Sequence, residues 1–113
     1  MNQEKTIYWI GSSKEDLLEF PEEVRRKAGF QLRKIQSRLE PDDWKALDNI
    51  DAGIKEIRLR DNVGIYRVIY VAKFENAVYV LHCFQKKTML ITKQNKEVII
   101  TRYRAVRKLH NNK

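Results

Sequence analysis

The chain has 113 residues, 42% of them hydrophobic and 34% charged, which allows one packed domain over residues 1–113 and no second core. Its single cysteine excludes an internal disulfide, and no apolar run approaches the roughly 20 residues of a membrane span. The chain is therefore expected to be soluble and cytoplasmic, with no membrane partner, and the MNQEKTIYWIG start does not read as a signal peptide. The net charge of +8 is unevenly placed: residues 1–50 hold nine basic and ten acidic side chains, residues 51–113 fourteen and five. One basic surface is expected. Charge alone does not choose between a protein that happens to be basic and one with a polyanionic partner, for which nucleic acid comes first.

Thr6 to Ile10 is β-branched and aromatic and ends at Gly11, which predicts a strand. Ser12-Ser13 offers an N-cap, and apolar residues then recur at three- and four-residue steps from Leu17 to Leu39. Pro21 lacks an amide donor, so a helical hairpin or broken helix is expected from about Ser13 to Leu39. Trp44 to Gly53 reads as an irregular connection. Lys55 to Arg60 alternates polar and apolar residues, the pattern of a half-buried strand, and Asp61 to Gly64 is a turn. Ile65 to Phe74 and Ala77 to Phe84 are apolar runs joined by a short turn, which predicts two central antiparallel strands. Thr92 caps a last helix, whose apolar stripe is read as Val98, Arg102, Ala105/Val106 and Leu109. The expected class is α+β, in the order β-α-α-β-β-β-α, with the N-terminal helices on one face of an antiparallel-rich sheet and the other face open.

Two histidines and one cysteine, without any zinc-ligand spacing, make a metal site an unpromising reading. The four glycines are scattered, so no loop for cradling phosphates is expected, nor is a cofactor. What remains is a set of cations on strands. Period two puts Glu56, Arg58 and Arg60 on one face of their strand and Ile57 and Leu59 on the other. Arg67 stands alone in a strand expected to be buried, so it either pairs with Glu56 across the strands or points into the open face. Lys86 and Lys87 follow the last strand, as a solvated doublet or as phosphate contacts.

Such a set suits one metal-free reaction, attack of an RNA 2′-hydroxyl on the adjacent phosphate. Fixed guanidinium and ammonium charges would stabilise the phosphorane. Glu56, His82 or a lysine of lowered pKa are candidates for the base. His82 reads equally as a hydrogen-bonded structural histidine. Tyr103 is open to stacking on a base or to packing. Lys55, Arg60 and Lys93 are further candidate nucleic-acid contacts.

Three segments in order, Gly53-x-Lys55-Glu56-Ile57-Arg58, Gly64-Ile65-Tyr66-Arg67-Val68-Ile69-Tyr70 and Val80-Leu81-His82-Cys83-Phe84-Gln85-Lys86-Lys87-Thr88, resemble the phage-derived, HigB-like branch of the RelE/ParE toxin superfamily. The resemblance extends upstream to Phe20-Pro21-Glu22-Glu23-Val24-Arg25 and Glu40-Pro41-Asp42-Asp43-Trp44-Lys45. It implies a RelE-like fold and a type II toxin that cleaves mRNA at the ribosome, held inactive by a helix-turn-helix, HigA-like antitoxin. By position, Arg58 and Arg67 resemble the family's basic active-site residues, and Lys86 and Lys87 its basic pair after the fourth strand. Glu56 departs from the pattern, being acidic where the best-described RelE-type enzymes are basic. The same scaffold also carries ParE-like poisons of DNA gyrase, and a catalytically inactive nucleic-acid-binding module is a third expectation.

Overall fold

Eight elements follow one another in the computed structural model, which describes residues 3–111: β1 (Thr6–Trp9), α1 (Ser13–Leu18), α2 (Glu22–Gln36), β2 (Trp44–Ala46), β3 (Ile54–Arg60), β4 (Ile65–Val71), β5 (Ala77–Lys86) and α3 (Lys93–Asn111). The strands form one mixed sheet in the order β1-β5-β4-β3-β2, with β1 parallel to β5 and the other pairs antiparallel. The α+β class holds. Two expectations about the sheet are corrected. Trp44 to Gly53 is not wholly irregular, because Trp44, Lys45 and Ala46 pair with Ile57, Glu56 and Lys55 as an added edge strand. The second face of the sheet is also not fully open.

Local chemistry explains the helix breaks. Pro21 is extended at the start of α2 (φ −53°, ψ 149°), and its carbonyl accepts from Arg25 N–H to close the first turn. Helix α2 stops at Gln36, short of Leu39, because Arg38 takes a left-handed conformation (φ 67°). Arg38 N–H then donates to Ile35 O and Leu39 N–H to Lys34 O, a reversal that usually takes glycine. The Arg38 guanidinium offsets the strain by donating to the carbonyls of Glu75 and Gln3. Thr92 caps α3 as expected, its hydroxyl accepting from Asn95 N–H at 3.1 Å.

Helices α1 and α2 cover the first face. Leu17, Phe20, Val24, Ala28, Leu32 and Ile35 pack there on Ile57, Leu59, Tyr66, Val68, Val78 and Val80. On the second face, Ile99, Tyr103 and Val106 of α3 lie over Ile54, Ile69, Val71, Tyr79 and Leu81. The central strands β4 and β5 are apolar on both faces, so their second face also needs cover. The α3 stripe thus runs one residue away from the one expected. Leu109 is exposed, and the buried positions are Ile99, Tyr103 and Val106. With Val98, Ile99 and Ile100 adjacent, periodicity alone could not choose among them; the apolar patch below did.

One irregularity positions the site. In the β4–β5 ladder Tyr70 faces Val80 but Ile69 faces His82, so Leu81 is an extra, unpaired residue. This bulge reverses the alternation of β5. Before it Val78 and Val80 point to the first face with Tyr79 and Leu81 on the second; beyond it Cys83 is on the first, while His82 and Phe84 pair with second-face residues of β4. Lys86 pairs with Ile65 and is thereby carried to the side of Arg67.

Candidate active site

Helix α3 leaves one end of the second face uncovered, and three cross-strand rows lie there. Glu56, Ile69 and His82 form the row nearest α3. Arg58, Arg67 and Phe84 form the next, and Arg60, Ile65 and Lys86 the outermost. Two arginines directly opposite each other repel unless an anion lies between them. Glu56 supplies one: its Oε1 is 3.5 Å from Arg58 Nε and its Oε2 3.6 Å from Arg67 Nε. Glu56 is 3% exposed and the Arg67 side chain 7%. The expected choice for Arg67, ion pair or open face, therefore resolves to both. It pairs with Glu56, on the face that helices α1 and α2 do not cover.

The pairing is incomplete. Both separations are longer than a hydrogen bond, and Glu56 Oε2 and the Nε atoms of Arg58 and Arg67 are buried without hydrogen-bond partners. Arg67 Nη1 donates to the Tyr66 carbonyl at 3.1 Å. Burial lowers the Arg67 pKa from its ordinary value, Glu56 opposing that shift and Arg58 adding to it. An arginine nevertheless remains charged, so its buried donors call for acceptors. Beside them is a cavity of ≈180 Å³ lined by Asp43, Arg58, Leu59, Arg60 and Arg67. Three guanidiniums and one carboxylate, Asp43, around a small cavity make a candidate site for an oxyanion.

His82 is 8% exposed, and its Nε2 lies 2.8 Å from Asn95 Oδ1 of α3. With Asn95 presenting its carbonyl, Nε2 donates and Nδ1 is left bare; Nδ1 has no partner. Burial is the main cause that lowers its pKa, and the Asn95 hydrogen bond works against it. The ring tilts against Phe84 at 5.0 Å. Cys83, beside it in sequence, faces the other core, where burial pushes its thiol up to about 12, so it is no ready nucleophile.

The other expected residues divide. Arg60 and Lys86 share the uncovered end with Arg58 and Arg67, and Lys87 is exposed just beyond β5. Lys93 is exposed at the start of α3. Lys55 is not with them: it sits over the Trp44 ring at 4.5 Å and pairs with Glu40 at 3.6 Å. Tyr103 is 3% exposed, donates to Ala52 O at 3.2 Å and accepts from Lys73 Nζ at 2.7 Å. That corrects the stacking reading in favour of packing. Asp43 and Phe84 were not singled out from sequence. Asp43 went unnoticed because β2 did, and it is β2 that brings the Asp43 carbonyl to Arg58 N–H at 2.9 Å. Among the described residues no three His, Cys, Asp or Glu side chains gather as metal ligands would, and no helix is long and apolar enough to cross a membrane.

Comparison with known proteins adds one finding. The family model described as phage derived protein Gp49-like (DUF891) matches residues 15–104, from within α1 to within α3. Among curated proteins no match was found. The matched span contains all of β2 to β5, and with them every residue of the three rows. The chain therefore belongs to the phage-derived Gp49-like family, a family of type II toxin–antitoxin toxins related to RelE and HigB.

Proposed function

We propose that the protein is a HigB-like toxin with a RelE-like topology that cleaves mRNA without a metal ion, acting in the cytoplasm at the ribosome. The observation that carries this reading is the buried, incompletely paired Arg67 with half-exposed Arg58 opposite it, beside Arg60 and a small cavity. In the reaction the RNA 2′-oxygen attacks the adjacent phosphorus and the bond to the 5′-oxygen breaks. The products are a 2′,3′-cyclic phosphate and a 5′-hydroxyl. Arg58, Arg60 and Arg67 hold the nonbridging oxygens and stabilise the charge of the phosphorane. Glu56, engaged by two guanidiniums, acts as a positioning residue, not as the base. His82 orients the floor through Asn95 and Phe84. Solvent takes the 2′-hydroxyl proton, and Lys86 or Lys87 supplies one to the leaving 5′-oxygen.

Membership in a toxin–antitoxin family implies an antitoxin partner. A helix-turn-helix, HigA-like partner fits a cationic site that must be masked between bouts of activity. The test is induction in cells with transcript ends mapped. Cleavage that disappears in Arg67→Ala supports the reading; transcripts left whole by the wild-type chain sink it. Should induction raise the DNA-damage response instead of arresting translation, the gyrase-poison reading takes its place. One observation favours the inactive module as a second reading: the carboxylate Glu56 sits where a base or cation would serve catalysis. Salt-dependent RNA binding without cleavage, ribosomes supplied, would select it.

A further inference from the structure

Beside the arginine cluster a larger groove runs between α2 and the end of β3, with a volume of ≈560 Å³. Asp43, Arg58, Leu59 and Arg60 line both the groove and the small cavity, so the two adjoin. The α2 wall is Arg26, Lys27 and Phe30. A single exposed phenylalanine is ordinary on a protein surface. Phe30 differs by its setting: it is 60% exposed, and across the groove stand Arg58 and Arg60, with Asp42 and Asp43 beside them.

The charges in the groove favour an anion. Of its three carboxylates, Glu23 pairs with Lys27 at 3.5 Å, Asp42 is held by Lys34 and Gln31, and only Asp43 forms no ion pair among the described residues. Arg26 and Arg60 form no ion pair among the described residues, and Lys27 also donates to the Arg60 carbonyl at 3.1 Å. A cationic channel with an accessible aromatic face is how single-stranded nucleic acid is gripped without duplex pairing. The cations follow the phosphates and the ring takes a base. The volume falls within the roughly 300–1,000 Å³ of small-ligand sites, room for one nucleotide.

We propose that this groove is a nucleotide subsite of the RNA surface, where Phe30 stacks on the base next to the scissile phosphate and Arg26 holds the flanking phosphate. The proposal rests on the RNA-cleaving reading for the identity of the polymer. Its test is direct binding, so that cleavage is not the only readout. A fluorescent single-stranded oligoribonucleotide is titrated into Arg67→Ala protein, alone and combined with Phe30→Ala, Phe30→Trp or Arg26→Gln. Phe30→Ala is expected to weaken binding about tenfold and Phe30→Trp to keep or tighten it. Arg26→Gln is expected to weaken binding and flatten its salt dependence.

Equal affinity for the Ala and Phe forms, or Trp binding no better than Ala, overturns the subsite. So does a Phe30→Ala protein that binds RNA normally but no longer captures its antitoxin, since the groove would then be a protein-docking surface. The parent reading fails separately. If the wild-type chain cuts no transcript while Phe30→Ala still loses RNA affinity, the groove stands and the nuclease falls.

Discussion

Under α3 the second face of the sheet is built from Ile54, Ile69, Val71, Tyr79 and Leu81. One to four residues further along the same strands it is built from Glu56, Arg58, Arg67 and His82. The same strands cross the boundary, where β5 carries its bulge, and it is there that the side-chain chemistry changes. At the covered end apolar surface is matched by the apolar face of α3, at about 25 cal/mol for each Å² removed from water. At the other end the Arg67 guanidinium and the Glu56 carboxylate are buried with unsatisfied atoms beside a half-exposed Arg58, which costs stability. A fold selected for stability alone would have continued the valines and isoleucines. The contrast marks this end as the candidate site by its energetic cost.

The sharpest way to break the contrast is Glu56→Ala. It leaves Arg67, 6% exposed, without the carboxylate that faces it, and the expected loss is about 3–5 kcal/mol. The denaturant midpoint, with an unchanged slope, measures it. Replacing both partners, Glu56→Leu with Arg67→Leu, should return most of that stability and none of the activity. A double variant as unstable as the single would show that packing, not charge, holds this end.

At the covered end, Leu81→Ala should cost about 2–5 kcal/mol through the cavity left beneath α3. Transcript cleavage per folded molecule should stay near wild type. Arg58→Ala should give the reverse pattern: cleavage down about 100-fold, with a smaller shift in midpoint than Leu81→Ala. Arg58 is 38% exposed, so solvent fills much of the space it leaves. If the two variants lost activity in the same proportion as stability, the sheet would have no functional end and the division drawn above would be wrong.

How much of this was written in the sequence depends on how local each signal is. The alternation of Lys55 to Arg60 put Glu56, Arg58 and Arg60 on one face and Ile57 and Leu59 on the other, and the ladder agrees. The turn at Asp61 was equally local, its carboxylate accepting from Val63 and Gly64 N–H. Three things were not local. The β2 strand is three residues long and exists only because β3 is there to pair with it. The α3 stripe was chosen by the patch below it. The bulge at Leu81 left no mark in an unbroken apolar run, and without it strict alternation would have placed Lys86 on the face of Val80. Cations were therefore readable as candidates, but which of them converge was set by pairing between strands.

The finest probe of the boundary is His82, which touches both ends: α3 through Asn95 and the open end through Phe84. Burial holds its pKa below the ordinary 6.5, with nearby Arg102 adding to the shift, and Asn95 and Asp16 opposing it. The unfolded chain therefore takes up the proton more readily than the folded one. Stability from His82 is complete above about pH 6.5 and declines as the pH falls towards the lower folded value. Asp42, whose pKa Lys34 and Gln31 lower from 3.8, acts below the range from pH 7.5 to pH 5. His82→Gln, which keeps a donor for Asn95, should flatten the loss of midpoint between pH 7.5 and pH 5 while leaving the neutral-pH value nearly unchanged. An equally steep decline in the variant would mean that the imidazole is already solvated, and that water from the open end reaches as far as α3.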